Sequence, residues 1–338
     1  MHADSFDVGK LPMAFLQTML ERYGGQDERI VVGPQVGEDA VVLDMGDRYL
    51  VAKTDPITFT TDEIGWYVVN VNANDVAAMG AMPRWLLLTL LLPEKGSDGA
   101  RVEEIFSQVH EACQALGIVL CGGHTEITYG LDRPIAVGFM LGEMEKADLV
   151  RTAGAEVGDH LILTKGIAIE GTAVLALEMG DRLEEQVGTE MVARGRRYLA
   201  EPGISVVPDA QVLCRTGRPH AMHDPTEGGL ATGLWEMAQG SGKGLVVDLA
   251  QVRQFPETVA FCQALDLDPL GVLASGALLV ACAPDESVLM VEALAGESIE
   301  ATIIGRVVEG PPAVLIETDE GLIPMPTFER DELLRVLA

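Results

Sequence analysis

The sequence predicts a two-domain protein of the α+β class, with an α+β N-terminal domain and an α/β C-terminal domain. Its 338 residues exceed what one ordinary core accommodates. Hydrophobic residues make up 48% of the chain and charged residues 22%, which is enough apolar material for two cores. A polar stretch at residues 143–159 separates a strand-rich half from a half in which strands and helices alternate. We therefore expect domains at residues 1–150 and 151–338.

The N-terminal half shows alternating apolar positions, one nearly continuous apolar run and two helical stretches. Gly117 follows an apolar stripe at helical spacing and predicts the end of the second helix. In chain order, the pattern predicts a hairpin at 40–54, a helix at 63–79, a buried strand at 85–92, a helix at 102–116, and strands at 118–121 and 134–144.

The C-terminal half alternates short apolar runs with amphipathic stretches, the pattern of an α/β domain. The predicted strands are 160–164, 220–223, 244–248, 272–281 and 301–308. The predicted helices lie near 171–179, 187–200, 205–216, 230–239, 257–265 and 286–295, with a terminal helix from about 327.

Charge and composition exclude several functional classes. The net charge of -29 argues against a nucleic-acid surface, which requires a basic stripe. The longest apolar run, at 85–92, is much shorter than the roughly 20 residues of a membrane-spanning helix. Five scattered cysteines and an N-terminus without an apolar signal segment indicate reduced thiols in a cytoplasmic protein.

Four aspartates stand at the edges of apolar segments: Asp39, Asp55, Asp75 and Asp224. An unpaired charge is costly in such surroundings. With no matching Lys or Arg beside them, the carboxylates suggest cations, and Mg²⁺ carrying a nucleotide triphosphate is the first candidate. Taken singly, each aspartate is equally compatible with turn or hydrogen-bonding roles.

The hairpin and the first long helix each bring polar groups together. The hairpin register can place Asp39 and Asp55 at the same end of the sheet, where two carboxylates repel each other unless a cation lies between them. On the helix, Asn70 and Asn74 share a face and Asp75 lies about 100° further round. These groups either form buried hydrogen bonds or bind a metal or nucleotide.

Glycine-containing loops offer backbone amides for an anion. Gly122-Gly123-His124-Thr125 follows a strand, and Lys165-Gly166 and the stretch after His223 each lead from a strand toward a helix. Ordinary capping explains each loop equally well. Zinc at Cys121 and His124 is disfavoured because only two ligands are present. No Walker loop or dinucleotide-binding glycine motif occurs.

Taken together and in this order, the motifs resemble the aminoimidazole ribonucleotide (AIR) synthase superfamily, also called PurM-like, and within it most closely the hydrogenase-maturation HypE family. The resemblance spans nearly the whole chain. The motifs are Gly9-Lys10-Leu11-Pro12, Gly37-Glu38-Asp39-Ala40-Val41, Asn74-Asp75-Val76-Ala77-Ala78-Met79-Gly80-Ala81-Met82-Pro83, Gly122-Gly123, His223-Asp224-Pro225-Thr226, Gly228-Gly229-Leu230-Ala231-Thr232 and Leu267-Asp268-Pro269-Leu270.

The resemblance implies a homodimer that pairs its N-terminal sheets, with ATP and Mg²⁺ in a cleft between domains and subunits. It implies phosphoryl transfer from ATP to an oxygen of an acceptor. Asp39, Asp55 and Asp75 are the implied metal ligands. The implied nucleotide-binding residues are Asn74, Gly122, Gly123, Thr125, Lys165 and Gly166.

The sequence departs from HypE where the acceptor is handled. HypE's Gly-Gly-Asp-Thr-Lys is replaced by a sequence with His124 and Glu126, its Pro-Thr-Arg-Gly-Gly has Glu227 in place of Arg, and no cysteine follows Cys282. His124, Glu126, Asp224 and Glu227 are therefore the expected acceptor-side catalytic residues, and the acceptor itself stays open. Two alternatives remain: a HypE-like carbamoyl dehydratase, and a nucleotide-dependent scaffold with little turnover of its own.

Overall fold

The computed structural model describes residues 6, 9, 11, 13–34, 37–58 and 60–337. The helices are α1 (Met13–Tyr23), α2 (Ile64–Ala78), α3 (Gly99–Leu116), α4 (Ile169–Glu178), α5 (Gly180–Val187), α6 (Thr189–Arg196), α7 (Val207–Thr216), α8 (Gly229–Ser241), α9 (Pro256–Leu265), α10 (Pro284–Gly296) and α11 (Leu334–Leu337). The strands are β1 (Ile30–Val32), β2 (Val41–Asp44), β3 (Tyr49–Ile57), β4 (Met82–Pro93), β5 (Val119–Thr128), β6 (Ile135–Met144), β7 (His160–Thr164), β8 (Ala221–His223), β9 (Gly244–Val247), β10 (Leu279–Cys282), β11 (Ala301–Val308), β12 (Val314–Thr318) and β13 (Gly321–Pro324). Lys10 and Pro12 of the first quoted motif lie outside the described residues.

The N-terminal sheet carries α2 and α3 on one face. Its six strands run in the order β1-β2-β3-β6-β4-β5, and only β4 and β5 are parallel neighbours. α2 approaches β6 closely because two glycines leave room for it. A Cβ at Gly138 would lie 2.3 Å from Asn72 Nδ2, and one at Gly142 would lie 2.4 Å from Val76 Cγ1. These glycines set the polar side chains of α2 directly against the sheet.

The C-terminal sheet has seven strands in the order β13-β12-β9-β11-β7-β10-β8. The predicted alternation of helices and strands is confirmed, and the strand pairing is antiparallel except between β12 and β9. One apolar cluster runs from the N-terminal sheet through α2 into helices α4, α6, α7 and α9. A second cluster lies under α8 in the C-terminal domain. The buried α2 is therefore shared by both domains.

Most predicted elements are confirmed, with four corrections. β5 continues to Thr128 where a loop was expected. The strand expected at 272–281 begins only at Leu279, because Ala274 bonds instead to the carbonyl of Thr226. The expected helix 187–200 begins only at Thr189, because Gly188 adopts a φ of 86° and separates α5 from α6, and it ends at Arg196.

The fourth correction concerns the C-terminus, where the helix expected from about 327 begins only at Leu334. The residues before it bond to neighbouring loops. Asp331 accepts a hydrogen bond from Gly228 N at 2.8 Å, and Glu332 accepts one from Asp268 N at 3.0 Å. α1, α5, β1, β12 and β13 had no counterpart among the predictions. No helix in the described part of the chain is long and apolar enough to cross a membrane.

Candidate active site between the two domains

The β2–β3 hairpin brings Asp39 and Asp55 to one end of the N-terminal sheet, as its register predicts. Val41 pairs with Ala52, so Asp39 enters β2 at the level where β3 carries Thr54 and Asp55. Lys53 lies two residues before Asp55 and therefore points to the same side of β3. Its ammonium is 3.5 Å from Asp55 Oδ2.

α2 adds Asp75 to this end of the sheet. Lys53 Nζ lies 3.3 Å from Asp75 Oδ2, so the lysine bridges the two acids. Burial, together with repulsion from Asp55 and Asp39, raises the pKa of Asp75 to about 7 despite the opposing effect of Lys53. Burial works against protonation of Lys53, but Asp75, Asp55 and Asp39 outweigh it and hold the lysine pKa above its ordinary value.

Two asparagines of α2, both just before Asp75, fix the helix to its neighbours: one to β3 and one to the C-terminal domain. Asn72 Oδ1 accepts a hydrogen bond from Asp55 N at 2.8 Å, and Asn72 Nδ2 donates to Asp55 O at 3.2 Å. Asn74 Nδ2 donates to Ile204 O at 2.8 Å and its Oδ1 accepts from Val206 N at 2.8 Å. The Asn74 amide is thus bonded to the C-terminal domain. The resemblance implies a different role for Asn74, as a nucleotide-binding residue. Asn72 had not been singled out in the sequence.

The C-terminal domain contributes His223 from the end of β8. His223 Nδ1 lies 2.9 Å from Asp39 Oδ1, and its Nε2 lies 2.9 Å from Glu236 Oε2. Burial opposes the charged imidazole, but Asp39 and Glu236 outweigh it and raise the pKa of His223 well above its ordinary value. Both ring nitrogens therefore donate, and the imidazolium ties the first acid motif to α8.

Asp224 follows His223 and is 2% exposed, and neither of its carboxylate oxygens has a hydrogen-bond partner in the described structure. Burial and the nearby Asp75 and Asp39 raise its pKa well above the ordinary value. Asp224 therefore faces the first-domain acids. The sequence predicts a different place for it, beside Glu227 on the acceptor side.

Glu170, at the start of α4, extends the acidic surroundings into the second domain. Burial raises its pKa to about 7, with further contributions from Asp331, Glu227 and Asp55, against a hydrogen bond from Ser275. Asp331 likewise has its pKa raised to about 6, mainly by burial. Glu170 was not among the expected site residues, although its place at a helix start after Lys165-Gly166 could have indicated it.

The structure corrects the expectation that the acids have no cation beside them. Lys53 bridges Asp55 and Asp75, and Arg151 lies 2.7 Å from Glu38 Oε1. Within residues 13–34, 37–58 and 60–337, no three His, Cys, Asp or Glu side chains stand close enough to hold a metal ion by themselves. The carboxylates still outnumber the cations, because Asp224 keeps two unpartnered oxygens.

Gly122, Gly123, His124, Thr125 and Glu126 lie on β5, at the exposed edge of the sheet. In register, Asp55 pairs with Gly138, Gly138 with Leu88 and Leu88 with Gly123, so Gly123 and Asp55 share a row. Three strand spacings separate them, about 14 Å. The structure therefore does not bring these residues to the acids within one chain.

Packing accounts for Gly123. Its φ is +144°, and a Cβ there would lie 1.9 Å from Leu88 O, so only glycine allows β5 to approach β4. Next to it, His124 Nε2 lies 3.0 Å from Glu126 Oε2, and Thr128 donates to the other Glu126 oxygen at 2.9 Å. This exposed polar row occupies one face of β5.

Lys165 and Gly166 belong to different surroundings. Lys165 Nζ donates to Ser205 O at 2.6 Å and lies 3.1 Å from Asp209 Oδ2. It lines a cavity of about 720 Å³ that also contains Trp66, Arg253 and Tyr198 and none of the four aspartates. Gly166 adopts a φ of +145° beside Phe255. Glu227, by contrast, lies in the loop leading to α8 and is half-buried, within electrostatic reach of Glu170.

The fold and the cleft define a two-domain protein in which acids from both domains converge around Lys53 and His223. Family models match the chain over most of its length: the AIR synthase related protein N-terminal domain at residues 37–144 and the C-terminal domain at 156–317. The chain belongs to the AIR synthase-related family.

Individual proteins show the same likeness. A putative hydrogenase expression/formation protein of Methanocaldococcus jannaschii is 28% identical over 306 residues, covering 87% of each chain. Carbamoyl dehydratase HypE of Cupriavidus necator is 30% identical over 258 residues, covering 75% of this chain and 70% of that protein. A crystal structure of the hydrogenase maturation protein HypE in complex with ATP has the same fold, with a TM-score of 0.67, 22% identity, and coverage of 92% and 90%.

Proposed function

We propose that this protein binds Mg²⁺–ATP in the interdomain cleft and transfers a phosphoryl group to an oxygen of an acceptor. The observation that carries the proposal is the surplus of buried carboxylates from both domains. Asp75 and Asp224 are buried, and both Asp224 oxygens lack partners. Buried unpaired carboxylates are costly, and a divalent cation is the ligand that offsets that cost. A HypE of the same fold was solved with ATP, which supports the nucleotide assignment.

The donor set suits Mg²⁺ in particular. Mg²⁺ prefers oxygen ligands and is usually held by one or two carboxylates, with phosphates and water completing its shell. The lack of a preformed three-ligand cluster among the described residues is compatible with that preference. Asp39, Asp55, Asp75 and Asp224 are the residues that would hold it. When bound, Mg²⁺ spreads the charge of the transferring phosphoryl group.

The chain's own residues hold the acids in place. Asn72 fixes the backbone of Asp55, His223 holds Asp39 against α8, and Asn74 fixes α2 to the second domain. Such fixed positioning is most of what phosphoryl transfer requires of a protein, because the transition state needs alignment and charge more than covalent help.

We assign the acceptor side to Glu227 and Glu170 and, from the partner subunit of the homodimer inferred below, to His124 and Glu126 on the edge strand. Glu170 has a pKa of about 7, raised mainly by burial, which suits proton exchange with an acceptor hydroxyl near neutral pH. Asp224 moves to the donor side because Asp75 and Asp39 are its electrostatic neighbours. Gly122, Gly123 and Thr125 lie on the same edge strand, β5, as His124 and Glu126.

Isothermal titration with Mg²⁺–ATP tests this site. We expect wild type to bind, chelation of Mg²⁺ to abolish binding, and Asp224→Asn to weaken it at least about tenfold, because a charge-assisted contact is lost. Glu317→Gln is the control, since Glu317 on β12 forms a solvent-exposed pair with Arg306 on β11 of the second sheet. Absence of binding by wild type, or full-strength binding by Asp224→Asn, contradicts the site.

The second candidate is a HypE-like dehydratase or a nucleotide-dependent scaffold in hydrogenase maturation. The names of the relatives favour it. Steady-state ATP hydrolysis by the purified protein separates the candidates. Turnover at enzyme-like rates without a partner excludes the scaffold, whereas binding without turnover favours it over an autonomous transferase.

We infer a homodimer that covers the open face of the N-terminal sheet. Trp85, Phe139 and Val119 are 36%, 40% and 56% exposed, and β5 has no strand on its outer side among the described residues. Long exposed apolar edges require a cover. Sedimentation equilibrium should give a dimer for wild type and monomers for Phe139→Glu. A monomeric wild type contradicts the dimer and the acceptor-side assignment of His124 and Glu126, and leaves the assignment of the donor-side acids to the calorimetric test.

A further inference from the structure

The half-buried Lys53 is distinguished by the groups that its ammonium contacts. Its ammonium lies within 3.5 Å of Asp55 and Asp75, and no carbonyl or hydroxyl among the described residues accepts from it. His223, by comparison, is tied to acids of two elements through two ring nitrogens. In the described structure Lys53 is therefore held by carboxylates only, at the end of a flexible four-carbon chain.

The position of Lys53 coincides with that of the expected cation. Asp55 and Asp75 are two of the carboxylates that would hold Mg²⁺, and the ammonium occupies the space between them. Two positive ions cannot share that space without strong mutual repulsion. Either the lysine leaves when the metal enters, or the metal does not enter.

We propose that Lys53 is an exchangeable internal counter-ion, which excludes a free divalent cation from Asp55 and Asp75 until a nucleotide brings one and then pairs with the nucleotide's phosphates. This role rests on the proposed Mg²⁺–ATP site and adds an order of binding to it. Without nucleotide, a metal ion finds Asp55 and Asp75 already paired with the Lys53 ammonium. With nucleotide, the metal ion replaces the ammonium at these carboxylates, and the phosphates bind the ammonium.

Charge balance gives the reason for keeping a lysine here. Mg²⁺–ATP is itself anionic, and the cleft it enters carries Asp39, Asp55, Asp75 and Asp224. A phosphate group approaching these acids is repelled unless a cation stays nearby. Lys53 supplies that cation, because its ammonium stays within one side-chain length of β3 after it leaves the acids. A lysine ammonium binds phosphate as a point charge.

Mn²⁺ binding in the absence of nucleotide, followed by electron paramagnetic resonance, tests the exclusion. Mn²⁺ accepts the same oxygen ligands as Mg²⁺. We expect weak binding by wild type and Lys53→Arg, and binding at least about tenfold tighter by Lys53→Met, because one neighbouring charge commonly shifts such equilibria ten- to a thousandfold. Lys146→Met is the matched control, since Lys146 pairs with Asp44 at 2.6 Å on the neighbouring strand; it should resemble wild type.

Titration with Mg²⁺–ATP tests the second half, and the expected sign is opposite. Lys53→Met should bind Mg²⁺–ATP at least about tenfold more weakly, because the cation that faces the phosphates is gone. Tighter Mn²⁺ binding together with weaker Mg²⁺–ATP binding supports the proposal. A purely structural lysine changes neither in this pattern, and unchanged Mn²⁺ affinity in Lys53→Met overturns the exclusion.

Two measurements remain decisive if Lys53→Met does not fold. Lys53→Gln replaces it, with circular dichroism to verify the fold. Wild type alone also decides: Mn²⁺ binding without nucleotide that is as tight as with ATP, and that is lost in Asp75→Asn, overturns the proposal. If wild type fails to bind Mg²⁺–ATP while Lys53→Met still gains Mn²⁺ affinity, the proposed function and the pairing of Lys53 with phosphates are wrong, and only the exclusion of free metal by Lys53 stands.

Discussion

Two lysine–aspartate pairs in this molecule, one buried and one with a half-buried lysine, have nearly equal separations and opposite surroundings. Lys165 Nζ lies 3.1 Å from Asp209 Oδ2, and Lys53 Nζ lies 3.3 Å from Asp75 Oδ2. Lys165 also donates to Ser205 O, so its pair is matched in charge and anchored by a carbonyl. Lys53 stands among several acids and has no such anchor. The comparison separates a matched pair, Lys165–Asp209, from an outnumbered pair, Lys53–Asp75, in which the acids exceed the cations and which belongs to the proposed Mg²⁺–ATP site.

The largest stability change should come from breaking the matched pair. Asp209→Asn leaves the buried Lys165 ammonium without a counter-ion, which costs about 3 kcal/mol of unfolding free energy. Urea unfolding measures it. A loss below about 1 kcal/mol means that water or another acid serves Lys165, and the contrast between the two pairs fails.

The acidic surroundings of the outnumbered pair predict a pH dependence. The folded-state pKa of Glu170, about 7, lies above its ordinary value, so the folded protein keeps a proton that the unfolded chain releases. The unfolding free energy should therefore fall as pH rises from the ordinary pKa of a glutamate to about 7, and should level off above that. Glu170→Gln should match wild type near pH 5 and exceed its unfolding free energy at pH 8 by on the order of 2 kcal/mol. Parallel pH curves for the two proteins contradict this assignment.

Removing the acid of the outnumbered pair should barely affect the fold. Asp75→Asn removes a carboxylate whose pKa burial raises to about 7, while Asp55 still neutralises Lys53. We expect an unfolding free energy within about 1 kcal/mol of wild type and Mg²⁺–ATP binding weakened about a hundredfold, as for loss of a buried charged contact. Thermal unfolding and calorimetric titration give the two numbers. A large loss of stability with intact binding reverses the roles of the two pairs.

A surface pair should give the smallest effect. Lys146 lies 2.6 Å from Asp44, with both side chains about one-third exposed. Lys146→Met should change the unfolding free energy by less than about 1 kcal/mol, because water screens exposed pairs. A larger loss in urea unfolding indicates that its contact with the Tyr49 ring contributes more than the ion pair.

Local pattern predicted the hairpin, α2 and the end of the sheet where Asp39 and Asp55 meet, because strand register and helix periodicity are properties of neighbouring residues. The same alternation places Lys53 beside Asp55, so this cation was readable from the sequence and was overlooked. The position of Asp224 was not readable, because it depends on how β8 of the second domain packs against the first.

The glycine pair shows a different limit. Gly122-Gly123 is typical of an anion-binding loop, yet β5 continues through it. The reason is a tertiary contact: the missing Cβ of Gly123 lets its strand lie against Leu88 O. A glycine required by a distant backbone and a glycine required by a phosphate look alike in sequence.

The Asn74 amide also constrains how the two domains can move apart. Both its donor and its acceptor are bonded across the domain boundary, to Ile204 O and Val206 N, one residue before Asp75. Separating the domains at α2 would strand these groups without partners, at about 1–3 kcal/mol each. The helix that carries Asp75, α2, is therefore fixed to the second domain. We therefore expect a ligand of the proposed site to exchange through movement of the surrounding loops, while α2 stays in place.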